Sequence, residues 1–126
     1  MKNYIVNHMP WQLLLLAIFI QSSFGNMNVI DLGFSFQDKL FHFIVFGFLA
    51  ILMARSFKKS KLKFFNKYYL MLAIILTGFY GVIDEYHQYF VPGRFSTVGD
   101  WAADILGAIV FILVFYYWER WKYLKA

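Results

Sequence analysis

Four apolar runs, each about as long as a bilayer crossing, restrict this chain more than any other feature. They cover roughly residues 5–24, 40–57, 68–90 and 101–118, where a spanning helix needs about 20 apolar residues, range roughly 17–25. Backbone polar groups in hydrocarbon must be paired within their own segment, so runs of this kind are helical. The expected fold is all-α: a polytopic integral membrane protein built as a four-transmembrane-helix bundle, with residues 1–126 as one transmembrane domain. Composition points the same way. Hydrophobic residues make up 61% and charged residues 15%, against roughly 45–50% and about 25% in soluble domains. Sixteen Phe, nine Tyr and four Trp exceed what a small aqueous core could bury.

The charges sort by side. Ten of the twelve Lys and Arg residues fall on one side of the four runs, and six of the seven acids fall on the other. Between runs two and three lie Arg55, Lys58, Lys59, Lys61, Lys63 and Lys67 without an acid among them. The C-terminal tail carries Arg120, Lys122 and Lys125 against Glu119. By the positive-inside tendency the loop and both termini are cytoplasmic. Only Lys39 and Arg94 are outside. The net charge of +5 therefore reads as contact with anionic lipid rather than nucleic acid. Tyr68 and Tyr69 open run three, and Tyr116, Tyr117, Trp118 and Trp121 close run four, as interfacial aromatics do. Cysteine is absent, which excludes disulfides, thiolate metal sites and Cys nucleophiles.

The first run follows a lone Lys2, as a signal peptide would, but Gln21-Ser22-Ser23-Phe24-Gly25 is a poor small-x-small cleavage site. It is expected to remain as a span. Residues 25–37 read as an external loop whose scattered apolar residues flank Asp31 and suit the membrane surface.

The dense polar chemistry lies at the outer ends of runs two, three and four. Asp38 and His42 are four apart on one helix face, with Lys39 beside them. Gly78, Gly81, Glu85 and Gln88 fall along one stripe, with Asp84 at its edge and His87 pointing elsewhere. After Pro92-Gly93-Arg94, the residues Asp100, Asp104 and Gly107 share a face that joins carboxylates to a small residue permitting close helix approach. Ionised groups in apolar spans cost about 2.5–3.5 kcal/mol each at mid-bilayer, less near the interface. Five outer carboxylates against Lys39 and Arg94 leave a deficit, met by protonation or by something positive. The hard oxygens and imidazoles permit metal chemistry, but no H-E-x-x-H-like ligand spacing occurs, so neither metal nor cofactor is expected.

Asp38-Lys39 with His42, then Asp84-Glu85-Tyr86-His87-Gln88, Pro92-Gly93-Arg94, Asp100 and a helix containing Gly107 resemble the signature of the VanZ-like family. The likeness covers roughly residues 38–110, and Asp104 stands where many relatives carry Asn. The resemblance implies a small membrane protein of the bacterial cell envelope. The family is named for a member associated with low-level resistance to the glycopeptide teicoplanin. It supplies no reaction.

Three functions follow as expectations. The first is a non-enzymatic outer pocket made by Asp38, Lys39, His42, Asp84, Glu85, Gln88, Arg94, Asp100 and Asp104, binding an envelope lipid or cell-wall precursor. There Arg94 and Lys39 hold the anionic group while Asp84, Glu85 and Gln88 orient them. The second is an intramembrane hydrolase or transferase, with candidate catalytic residues His42, Asp84 and Glu85. The third is a structural or partner-stabilising subunit whose charges clamp the bundle, with Asp84 and Glu85 paired to Arg94 or Lys39. Membrane lipids are the expected partners in each case.

Overall fold

The computed structural model describes residues 2–25 and 36–125. Its helices are α1 (Lys2–Ser22), α2 (Gln37–Lys58), α3 (Lys63–Lys67), α4 (Tyr69–Tyr89) and α5 (Val98–Lys125). The described residues are 85% helical, with no strand among them. Helices α1, α2, α4 and α5 are long and apolar enough to cross a membrane, and the protein is a multi-pass membrane protein. The surface-lying loop expected over 25–37 falls mostly on residues 26–35, outside the described residues.

Each boundary has a local cause. Arg55 and Lys58 end α2 with cations beside its free carbonyls. The short α3 lies between α2 and α4 and rests Phe65 on Phe57, ring centroids 5.2 Å apart. After α4 the chain reverses at Val91–Arg94, where the Arg94 N–H donates to the Val91 carbonyl (3.1 Å). Gly93 has φ 82°, the left-handed geometry that a Pro-Gly type II turn requires. Thr97 then caps α5: its Oγ1 accepts from the Asp100 N–H at 3.2 Å. The fourth span was expected to close at Trp118, yet α5 runs on to Lys125. No Gly or Pro interrupts residues 119–124, and Lys122 and Lys125 lie over Trp118 and Trp121 at 3.5 and 4.2 Å. At about 1.5 Å per residue its 28 residues reach about 42 Å, beyond a hydrocarbon core of about 30 Å.

The interior is made of small and medium residues. Phe46, Leu49, Ala50, Met53 and Ala54 of α2 pack on Ala108, Ile112 and Phe115 of α5, with Ala73 of α4 and Ile18 of α1. Large apolar side chains such as Leu16, Phe48, Phe79 and Leu113 face outward. Lipid solvates them as well as a core would, so association relies on close backbone approach instead. Gly107 provides it, because a Cβ there would stand 2.1 Å from the Phe43 carbonyl oxygen.

Polar groups collect at the two ends. At the cationic end Lys58 pairs with Glu119 (2.7 Å), the Lys59 ammonium donates to Asn7 Oδ1 (2.8 Å), and buried Ser56 accepts from Trp11 Nε1 (3.1 Å). The opposite, acidic end buries Ser22, His42, Asp84, Glu85, Gln88, Asp100 and Asp104.

Candidate ligand site at the acidic end of the bundle

Helices α2, α4 and α5 each bring one turn of polar residues to this end. Asp104, nearly two turns into α5, is 0% exposed. Its Oδ1 accepts from His42 Nδ1 of α2 at 2.9 Å. Its Oδ2 lies against α4, where a Cβ on Gly81 would come within 2.7 Å. Gly81 thus lets a carboxylate sit flush on the neighbouring helix. The same ring nitrogen of His42 is 3.9 Å from Glu85 Oε1.

Glu85 reaches across to the start of α5. Its Oε2 accepts from Ser96 Oγ (2.8 Å) and from the Thr97 N–H (3.0 Å). A side chain of α4 therefore satisfies a backbone donor at the α5 N-terminus, where negative charge is favoured. Asp100 accepts from Thr97 Oγ1 (2.6 Å) and pairs with Lys39 at 3.2 Å. Lys39 is 42% exposed, so it snorkels outward from a carboxylate that is 2% exposed. Asp84 accepts from the Ser22 hydroxyl and from Gln88 Nε2 (2.8 Å).

Several expected partnerships differ. Asp38 is exposed and has no hydrogen bond or ion pair among the described residues; the carboxylate that His42 bonds is Asp104, on a neighbouring helix. Arg94 pairs with none of Asp84, Glu85 and Asp100. Its Nη2 donates to Gln21 Oε1 at 3.4 Å, and its Nε is buried without a partner. Asp84 and Glu85 consequently orient neither Arg94 nor Lys39. The Pro92-Gly93 turn places Arg94 on the α1 side instead. His87 lies away from the cluster, bonding Ser23 Oγ (2.9 Å) and stacking near Phe19 at 4.7 Å.

Sequence reasoning missed the contribution of α1. Along the chain Gln21 and Ser22 look only like a poor cleavage motif, whereas Ser22 is fully buried on Asp84 and Gln21 holds Arg94. Polar residues ending an apolar run were the available signal. Between α1, α2 and α4 there is also a cavity of about 200 Å³. Leu14, Ala17, Ile18, Phe41, Val45 and Phe46 form its apolar wall, and Gln21, His42 and Asp84 its polar side.

A family model for VanZ/LLP1 matches residues 3–119. The chain belongs to the VanZ/LLP1 family. The match takes in α1 as well as the three helices that carry the polar signature, so the VanZ-like unit includes the helix that walls the cavity and supplies Ser22. No curated protein and no solved structure matches the chain.

Proposed function

We propose that this VanZ-family protein lies in the bacterial cytoplasmic membrane and holds an anionic envelope lipid or cell-wall precursor at its outer end. The observation that carries this reading is the cavity of about 200 Å³, apolar along most of its wall and bordered by Gln21, His42 and Asp84. A largely apolar slot with a few convergent polar groups is the usual form of a small-ligand site. One hydrocarbon chain suits the wall, with its headgroup at the polar side. Arg94 is bonded to the lining residue Gln21 and has no carboxylate partner among the described residues. Its guanidinium fork suits a phosphate. Such binding would bear on envelope properties, including tolerance to teicoplanin-type glycopeptides.

Lipid extraction and mass spectrometry of the purified protein test the reading. Wild type should retain an anionic lipid that Arg94→Ala retains roughly tenfold less, since a charge-assisted hydrogen bond contributes about 1.5–3 kcal/mol. Identical lipid profiles would end the proposal. The orientation has its own check, made simple by the absence of cysteine. In intact cells an impermeant maleimide should label Phe95→Cys and leave Ser60→Cys unlabelled; the reverse pattern places the cavity in the wrong compartment.

One observation favours chemistry as a second reading. His42 lines the cavity while its Nδ1 donates to Asp104, the bond that orients a general base. On this reading the lipid extracts of wild type contain a product that His42→Ala lacks. If lipid profiles never differ and the variants fail to accumulate, the charges serve the scaffold or a partner subunit.

A further inference from the structure

Asp84, Glu85, Asp100 and Asp104 lie together at the acidic end, each at least nine-tenths buried. Lys39 pairs with Asp100, and His42 with Asp104. Asp84 receives only uncharged donors, Ser22 and Gln88. Glu85 receives Ser96 and the Thr97 N–H, with the His42 ring at 3.9 Å. Even with His42 protonated, two of the four carboxylates have no countercharge. Buried anions left this way are costly, and Arg94, the other cation at this end, is turned toward Gln21.

Three observations besides charge define where the missing cation fits. One donor atom each from His42, Asp84 and Glu85 lies within 4.8 Å of the other two. Glu85 Oε1 is buried within this group and accepts no hydrogen bond. Where Asp104 is ionised, the neutral His42 ring donates to it from Nδ1 and keeps its lone pair on Nε2. A carboxylate behind an imidazole in this manner is the arrangement that orients metal-binding histidines.

We propose that His42, Asp84 and Glu85 bind a divalent cation, with Asp104 orienting the imidazole. One nitrogen and two carboxylates suit Zn²⁺ or Mn²⁺ better than the harder Mg²⁺ or Ca²⁺. Around one ion, bonds of about 2.0–2.2 Å hold three donors about 3.6 Å apart at most, so the three groups, now within 4.8 Å of one another, would close up by about an ångström. Three protein ligands leave coordination positions open. Because His42 and Asp84 also line the cavity, those positions offer water or an anionic headgroup a direct partner. The proposal rests on the donors and their charge, and stands whether or not a lipid enters the cavity.

The test uses the full chain in lipid-free detergent, stripped with chelator and titrated with ZnCl₂ or MnCl₂ alone. One ion per chain is expected, together with a rise in unfolding temperature on loading. Asp84→Asn and Glu85→Gln should each weaken binding more than about tenfold, whereas Glu119→Gln, at the far end, should leave it unchanged. Absence of binding up to millimolar metal, or equal binding by Glu85→Gln, overturns the proposal and leaves protons as the countercharge. If the variants do not accumulate, X-ray absorption of the Zn²⁺-loaded wild type decides: imidazole nitrogen with oxygen ligands supports the site, and a shell without nitrogen refutes it. Lipid retention without ion binding removes this proposal alone. Ion binding without lipid retention leaves it standing and counts against the lipid reading.

Discussion

Replacing Gly107 with alanine should force α2 and α5 apart and dismantle the acidic end with them. The added methyl would stand 2.1 Å from the Phe43 carbonyl oxygen and 2.8 Å from its carbonyl carbon. Both are backbone atoms of a packed helix, so no side-chain rotation can relieve the overlap. Overpacking typically costs about 1–3 kcal/mol, and more where the neighbour cannot yield. The consequence is larger than a local strain. Phe43 follows His42, and Gly107 lies three residues after Asp104, so separating the helices here pulls directly on the His42–Asp104 hydrogen bond of 2.9 Å. Gly78→Ala is the comparison, because its methyl meets only the movable Ile105 side chain at 3.2 Å. Thermal unfolding in detergent should show a large loss for Gly107→Ala and a small one for Gly78→Ala. Equal stability of Gly107→Ala and wild type would mean that the two helices do not touch through this glycine.

His42→Leu should destabilise the metal-free chain more than the simultaneous change His42→Leu with Asp104→Leu. Both partners are nearly or fully buried, with side-chain exposures of 7% and 0%. Removing one leaves the other as an unpaired buried polar group, a change that costs about 3–5 kcal/mol for buried pairs. Removing both restores an apolar contact, and such replacements are often neutral. The cycle of single and double variants therefore has a coupling energy of several kcal/mol. Simple additivity would show that the bond contributes nothing to the fold. The same variants report on chemistry independently of stability, because the double variant keeps the bundle while losing the imidazole that lines the cavity.

How far the sequence was legible differs between helices and partners. The spans could be read because an apolar run near 20 residues has one outcome in lipid, and the apolar windows of α1, α2, α4 and α5 follow that rule. The close contacts at Gly78, Gly81 and Gly107 could also be anticipated from small residues on polar faces. Individual pairings were not legible. Arg94 and Asp84 are ten residues apart, yet the Pro92-Gly93 turn sends the guanidinium to Gln21 of α1. Asp38 and His42 share a face, yet Asp104 captures the ring from another helix. A motif such as H-E-x-x-H carries both histidines on one helix, whereas His42, Asp84 and Glu85 meet from two helices.

By itself, the order of residues determined the helical class, the number of membrane-length segments and the separation of cations from acids to opposite ends. These depend on solvation of each segment alone, which composition decides. Tertiary structure decided which carboxylate holds His42, that Glu85 caps α5, that Ser22 of α1 completes the shell around Asp84, and that a cavity opens beside them. Those outcomes depend on how α1, α2, α4 and α5 rotate and approach one another. That geometry is set by sub-ångström packing at positions such as Gly107, where no pattern along the chain records which neighbour will be met.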